Sequence, residues 1–94
     1  MTSAQLQAFV TVAQVNNFTT AATMLGIGQS AVSHAIKSIE KELGIALFVR
    51  GKAEIILTEG GHNILSKAHS VLGLLESIKQ TANETKNLHQ GVLN

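Results

Sequence analysis

The first half of the chain alternates apolar and polar residues at the spacing of amphipathic helices. It opens with apolar side chains three or four positions apart, at Leu6, Phe9, Val10 and Ala13. This spacing predicts a helix from Ser3 to Val15. Thr2 and Gln5, three positions apart, predict a capping box at its start. Asn16 and Asn17 belong to a residue type that readily takes the left-handed conformation in which helices end.

Two further helices follow, separated by a tight turn that contains glycine. Thr19 is the expected N-cap of a short helix that Gly26 closes. Beyond the turn, a narrow apolar stripe repeats at steps of four, three and four residues, at Val32, Ile36, Ile39 and Leu43. The stripe predicts a third helix over residues 29–43 with one side packed on a core. Two helices joined by such a turn form a helix-turn-helix pattern.

The periodicity changes after Ala46. The short β-rich runs LFVR and IILT flank GKAE, which contains the glycine that a tight hairpin needs, so we expect a two-stranded wing. Thr58 can cap a final helix from Glu59 to about Leu88, roughly 45 Å long at 1.5 Å per residue. The predicted fold is mainly α: a winged helix-turn-helix of three helices and a two-stranded β wing, followed by a long dimerisation helix.

The final helix is too long for the small domain that precedes it. Its apolar residues recur in a near-heptad stripe, at Ile64, Leu65, Ala68, Val71, Leu72, Leu75, Ile78 and Ala82. We favour cover by a second copy of the helix over packing within the chain, because the remaining sequence already fills its own core. The expected organisation is a DNA-binding domain over residues 1–58 and a linker or dimerisation helix over residues 59–90.

Composition excludes several classes of function and leaves others to local features. The net charge is only +1, so the overall charge does not indicate a partner such as nucleic acid or a membrane. The absence of cysteine excludes disulfides, thiolate nucleophiles and cysteine metal sites. No signal peptide or membrane-length apolar run is present, which favours a cytoplasmic protein without membrane contact. Without Asp or Cys, a catalytic triad would reduce to Ser, His and Glu. We therefore expect neither an enzyme nor a bound cofactor. We also expect no metal site, because His62 and His69 supply fewer ligands than a structural zinc ion needs.

A polar face lies about 120° around the third helix from its apolar stripe. It carries an amide, two hydroxyls, an imidazole and an ammonium group, on Gln29, Ser30, Ser33, His34 and Lys37 in that order. On an isolated helix, such a face would be an ordinary hydrated surface. In a helix-turn-helix, the same residues are placed to enter a DNA major groove.

Each of these side chain types has a partner on duplex DNA. Gln bonds to adenine, Ser to several base edges, and Lys to guanine or phosphate. The hydroxyls of Thr19 and Thr20 are candidates for phosphate contacts. Between Gln29 and Lys52 there are four basic and two acidic residues, a local excess of +2. This modest charge favours hydrogen-bond readout and binding as a dimer over a strong ionic grip.

Taken in order, the segments FTTAATML, QSAVSHAIKSIEKELGIALFVR and LTEGG resemble the N-terminal signature of LysR-type transcriptional regulators. The similarity covers residues 6–61 without an internal gap. It implies a winged helix-turn-helix, a linker helix that pairs between subunits, and a hinge that begins at residues 91–94. It also implies a following effector domain that binds a small-molecule coinducer, and dimers that assemble into tetramers on inverted-repeat promoter sites.

The resemblance also assigns residues. Gln29, Ser30 and Ser33 match DNA-facing positions of the family, and Lys37 and Arg50 match basic positions of the helix and the wing strand. The chain departs from the family elsewhere. These departures are His34 and Ala35 in the helix, Gly28 at its N-cap, and Ala53 and Glu54 in the wing, where Lys52 is the remaining basic candidate.

A second hypothesis is a winged-helix module for protein interaction or dimerisation without specific DNA binding. The low positive charge and Glu54 in the wing favour it. The polar face of the third helix argues against it, because protein interfaces usually expose aromatic or aliphatic anchors.

Overall fold

The computed structural model describes the backbone of residues 1–51 and 54–93, and the side chains of residues 1–51 and 54–88. Its elements follow the chain as α1 (Ser3–Val15), α2 (Phe18–Leu25), α3 (Gln29–Leu43), β1 (Phe48–Arg50), β2 (Ile55–Leu57) and α4 (Glu59–Leu93). The molecule measures 62 × 25 × 19 Å, because α4 projects from a small domain. The predicted winged helix-turn-helix with a long final helix is confirmed.

Both ends of α1 form as predicted. Gln5 donates its backbone N–H to Thr2 Oγ1 over 3.1 Å, and Thr2 donates its own N–H to Gln5 Oε1 over 3.0 Å, which completes the capping box. Asn16 ends the helix in the left-handed conformation, with φ 53°. The side chain of Gln5 also donates to Ser38 Oγ, 3.3 Å away on α3. The start of α1 is thereby tied to the middle of α3.

The start of α2 differs from the prediction, since Asn17 rather than Thr19 is the N-cap. Asn17 is extended, at φ −156° and ψ 120°, and its Oδ1 accepts the backbone N–H of Thr20 over 2.8 Å. Phe18 is therefore the first helical residue. Its half-buried ring meets Phe48 edge-on at 6.3 Å between ring centroids, and this packing favours a helix that starts two residues earlier than expected.

The core lies between α1, α2, α3 and the first half of α4. Its largest fully buried side chains are Phe9, Val12, Val32, Ile39 and Leu47. The predicted stripe of α3 faces this core, with Val32, Ile36 and Ile39 buried and Leu43 half-buried. Burial of each such aliphatic side chain stabilises the fold by about 1.5–3 kcal/mol. The opposite side of α3 is therefore held outward by its own packing.

The wing is an antiparallel hairpin in which Phe48 pairs with Leu57, Val49 with Ile56 and Arg50 with Ile55. Thr58 follows β2 and caps α4 as predicted, because its Oγ1 accepts the backbone N–H of Gly61 over 2.8 Å. The same hydroxyl donates to the carbonyl oxygen of Ala46 over 2.7 Å. One threonine therefore joins the start of α4 to the segment that leads into the wing.

Glu40 connects α3 to the wing. One of its carboxylate oxygens accepts the backbone N–H of Leu47 over 2.7 Å and that of Phe48 over 3.4 Å. A carboxylate in the last turn of a helix is unfavourable for the helix dipole. Its position is explained by these two backbone donors, which would otherwise lack a partner beside the buried side chain of Leu47.

The apolar stripe of α4 serves two different contacts. Ala68, predicted as a dimerisation residue, is only 2% exposed and lies in the chain's own core, which leaves it little surface for a second copy. Ile64, Leu65 and Leu72 are half-buried against the same core. As far as Lys79 the helix still lines a groove with the start of α1, and it continues to Leu93, five residues past the predicted end. The described residues contain no helix long and apolar enough to cross a membrane.

The projecting half of α4 exposes a row of large apolar side chains. Ile78 is 65% exposed and Leu74, which the stripe did not include, is 66% exposed. Val71 and Leu75 are also exposed beside them. Together with Ala82, these four residues form the distal apolar face of α4. Two glycines of α4 differ in their surroundings. Gly61 is buried against Leu47 and Leu57, whereas a Cβ at Gly73 would have nothing within 4 Å.

Substitution Gly61→Ala should destabilise the fold. A Cβ at this position would collide with the carbonyl oxygen of Leu47 and lie 2.7 Å from Leu57 Cδ1. We expect a loss of about 1–3 kcal/mol, the usual range for overpacking, in urea unfolding at fixed protein concentration. The matched control is Gly73→Ala, which should instead gain about 0.5–1 kcal/mol from helix propensity. Equal shifts in the two variants would contradict this account of Gly61.

Substitution Glu40→Gln should loosen the junction between α3 and the wing. The amide keeps an acceptor oxygen but loses the charge that strengthens both hydrogen bonds, so we expect a loss of about 1–2 kcal/mol. Thermal unfolding measures this change against Glu84→Gln, which removes the same charge from an exposed position of α4. A Glu40→Gln variant as stable as the Glu84→Gln variant would show that the charge of Glu40 adds nothing to the two backbone contacts.

Candidate nucleic-acid interface

The polar side chains of α3 face outward, as the apolar stripe predicts. Gln29, Ser30, His34 and Lys37 are exposed and Ser33 is half-exposed. Thr19 and Thr20 are exposed on the first turn of α2, and Arg50 is exposed at the end of β1. The predicted site residue Lys52 lies outside the described residues.

A polar cleft of about 310 Å³ separates the start of α2 from the start of α3 and from the wing. Its walls include Asn17, Thr19, Gln29, Arg50 and Glu54. Within it, the Thr19 hydroxyl donates to Gln29 Oε1 over 3.2 Å. The first turns of α2 and α3 are thereby joined through two of the predicted site residues.

A shallower depression of about 170 Å³ lies on the other side of Arg50, between α3 and β1. Ser33, Lys37 and Arg50 line it, above an apolar floor that includes Phe18 and Phe48. Because Arg50 borders both cavities, the fold brings Thr19, Gln29, Ser33, Lys37 and Arg50 into one continuous surface. Ser30, His34 and Thr20 line neither cavity and lie beside that surface.

A chain of aromatic rings positions Arg50. Phe9 in the core meets Phe48 edge-on at 5.6 Å between centroids, and Phe48 meets Phe18 at 6.3 Å. The guanidinium carbon of Arg50 lies 5.8 Å from the centroid of the Phe18 ring, a cation–π geometry. The arginine is therefore supported from the core outward, through all three phenylalanines of the chain.

Sequence reasoning placed Phe18 only before the start of α2 and missed its role under Arg50. The two residues are far apart in sequence, and only the packing of the wing on α2 brings them together. Asn17 was also missed as a site residue. The available signal was an asparagine, a preferred N-cap residue, directly before Phe18. The backbone N–H of Thr20, three residues later, is in the position that such a cap accepts from.

The start of α3 carries backbone donors that no side chain caps. Gly28 is the N-cap and makes no side-chain hydrogen bond, whereas the backbone N–H groups of Ala31 and Val32 reach the carbonyl oxygen of Gly28. Within the described part of the chain, the N–H groups of Gln29 and Ser30 have no acceptor. Open donors at the positive end of a helix dipole attract anions such as phosphate.

The surface combines cations and hydrogen-bond donors with a few acidic groups. Among residues 1–51 and 54–88, neither Lys37 nor Arg50 forms an ion pair, so both charges remain available to an external anion. Glu54 lines the polar cleft and Glu40 the shallower depression, and both reduce the local positive charge. The arrangement suits contacts to phosphate and to polar base edges more than purely ionic binding.

Comparison with known proteins gives the chain its relatives. The family model described as "Bacterial regulatory helix-turn-helix protein, lysR family" matches residues 3–62. The HTH-type transcriptional regulator CfxR of Cupriavidus necator is 40% identical over 91 residues, which cover 97% of this chain and 29% of that protein. The chain spans less than a third of the length of the curated relatives it matches.

Solved structures with the same architecture include two bound to DNA. The CbnR_DBD–DNA complex has a TM-score of 0.84 and 29% identity, and the match covers 90% of this chain and 98% of that one. The complex of BenM_DBD with catB site 1 DNA has a TM-score of 0.77 and 35% identity, and the match covers 94% and 96%. This chain belongs to the lysR family of bacterial regulatory helix-turn-helix proteins.

Proposed function

We propose that this chain is the sequence-specific DNA-binding part of a bacterial transcriptional regulator and that it acts on duplex DNA as a dimer. The observation that carries the proposal is the continuous outward surface formed by Thr19, Gln29, Ser33, Lys37 and Arg50. It combines base-reading side chains at the start of a helix with cations on both sides, as a major-groove reader requires. Relatives of known structure, CbnR_DBD and BenM_DBD, were solved with DNA.

In the proposed complex, α3 enters the major groove with its N-terminal turn foremost. Gln29 and Ser33 read base edges, while Ser30 and His34 border the same groove at its outer side. Lys37 and Arg50 contact phosphates, and the open N–H groups at the start of α3 donate to a further phosphate oxygen. Thr20 at the start of α2 is a further phosphate contact, and Lys52 is the remaining basic candidate for a DNA contact near the wing.

The distal apolar face of α4 pairs with the same face of a second copy. Leu74 and Ile78 are 66% and 65% exposed, and a contiguous row of exposed apolar side chains is typical of an interaction surface. Paired helices would hold two copies of α3 one turn of B-DNA apart, about 34 Å, on an inverted-repeat site. Of the predicted stripe, Val71, Leu75, Ile78 and Ala82 belong to this contact, and Leu74 joins them.

In the longer protein, the organisation predicted from sequence places the DNA-binding domain at residues 1–58, the linker helix at 59–90 and the start of a hinge at 91–94. A following effector domain would bind the small-molecule coinducer and support a tetramer. The function is regulatory rather than enzymatic and is carried out in the cytoplasm, where bacterial DNA lies. Support comes from the relatives, which are named as transcriptional regulators.

Substitutions Gln29→Ala and Lys37→Gln should separate base reading from phosphate binding. Gln29→Ala should weaken binding to the preferred site by about 1–3 kcal/mol and leave scrambled duplexes unaffected. Lys37→Gln should weaken binding to both and reduce the slope of log K against log salt by about one unit. Gel-shift titrations at several salt concentrations measure both effects on a site first selected from a random duplex pool.

Equal losses for Gln29→Ala on the preferred and scrambled duplexes would remove its base-reading role. A folded wild-type dimer without salt-sensitive DNA affinity would favour the protein-interaction module instead. The exposed carboxylate of Glu54 in the wing is the feature of the structure that favours such a module.

Substitution Ile78→Glu should separate the dimer. A carboxylate in the middle of the distal apolar face of α4 would be desolvated without a partner, so we expect a loss of at least about tenfold in dimer affinity. Analytical ultracentrifugation at several concentrations measures it. The matched control is Gln80→Glu, which adds the same charge about 200° around the helix. If both variants remained dimeric, another surface would hold the two copies together.

A further inference from the structure

The hydroxyl of Thr19 already has an acceptor inside the protein. A threonine hydroxyl carries one proton and two lone pairs, whereas a phosphate oxygen in DNA only accepts. Thr19 gives its proton to Gln29 Oε1 over 3.2 Å. It therefore cannot donate to a phosphate while this hydrogen bond is intact. Its neighbour Thr20 differs, because within the described residues its hydroxyl makes no hydrogen bond.

The contact removes an ambiguity in the side chain of Gln29. A glutamine amide is nearly symmetric in shape, but one end donates and the other accepts, so its two orientations present opposite patterns to a base edge. Free in solvent, the amide rotates between them. A hydroxyl can meet either end of the amide, but the amide oxygen is a stronger acceptor than the hydroxyl oxygen. The observed O–H···O contact is therefore the favoured one, with Oε1 against α2 and the two protons of Nε2 pointing away from Thr19.

Thr19 and Gln29 lie where the orientation of the amide affects base recognition. Gln29 is the first residue of α3 and Thr19 the second of α2, and both line the polar cleft that opens beside Arg50. The contact thus joins two helices at their starts and leaves the amide exposed. In the major groove, each base pair presents its own order of donors and acceptors, so a fixed amide distinguishes pairs that a rotating amide would accept alike.

We propose that Thr19 is a positioning residue for base recognition: its hydroxyl holds the Gln29 amide in one orientation and so determines which base pair Gln29 selects. This inference rests on the proposed DNA-binding function. It replaces the expected phosphate contact of Thr19 with a role exerted through Gln29. The specific effect of losing the hydroxyl is a relaxed choice of base pair rather than a uniform loss of affinity.

The test uses the site selected by the wild-type chain. The position read by Gln29 is the one at which Gln29→Ala no longer distinguishes the four base pairs. Binding of Thr19→Val, which keeps the shape of the side chain without the hydroxyl, is then titrated on the four duplexes that differ there. A good side-chain contact discriminates by about 5- to 150-fold, and we expect the variant to lose at least about fivefold of this ratio.

Three controls locate the effect. Thr19→Ser retains the hydroxyl and should retain the selectivity of the wild type. Thr20→Val should weaken binding to all four duplexes alike, because its hydroxyl is free to contact phosphate. In a Gln29→Ala background, Thr19→Val should have no further effect on selectivity. Circular dichroism confirms that each variant is folded.

Two outcomes would overturn the inference while the proposed function stands. One is a Thr19→Val variant that loses the same factor on all four duplexes, as a phosphate contact would. The other is a Thr19→Val variant that keeps the full selectivity of the wild type. A wild-type chain that fails to distinguish any of the duplexes would overturn the proposed function itself.

Discussion

The hydrogen bonds from the backbone of Leu47 and Phe48 to the carboxylate of Glu40 determine the shape of the whole polar surface. They hold the first strand of the wing against the last turns of α3. With this junction in place, Phe48 lies between Phe9 and Phe18, and Arg50 lies over the Phe18 ring. A shift of the wing relative to α3 would therefore break charge-assisted contacts beside the buried Leu47.

The fold was largely readable from sequence because local signals and the global pattern agree. The Thr2–Gln5 capping box, the left-handed Asn16, the stripe of α3 and the Thr58 cap are each encoded within a few residues. The start of α2 was not, because Asn17 and Thr19 are both competent caps. The packing of Phe18 on Phe48, thirty residues away, favours Asn17.

Residue spacing predicted which side chains of α3 face outward, but it did not predict their contacts with α2 and the wing. The polar face of α3 follows from counting residues around a helix, so its five side chains are apparent from spacing alone. The hydrogen bond between Thr19 and Gln29 depends on the angle between two helices, and the support of Arg50 depends on how the wing folds back. Likewise, spacing cannot tell which residues of the α4 stripe pack on the chain's own core. Ala68 and Ile78 belong to the same apolar repeat, but Ala68 is buried and Ile78 is exposed.

The point at which α4 leaves the domain separates folding from assembly. Ala68 and Leu72 pack on the chain's own core, whereas Leu74 and Ile78 are largely exposed, so the core closes without the distal apolar face of α4. Where pairing of α4 is required for tight binding to an inverted repeat, occupancy of a promoter at low protein levels rises with the square of the monomer concentration. A modest change in the amount of the chain would then produce a disproportionate change in the number of occupied sites.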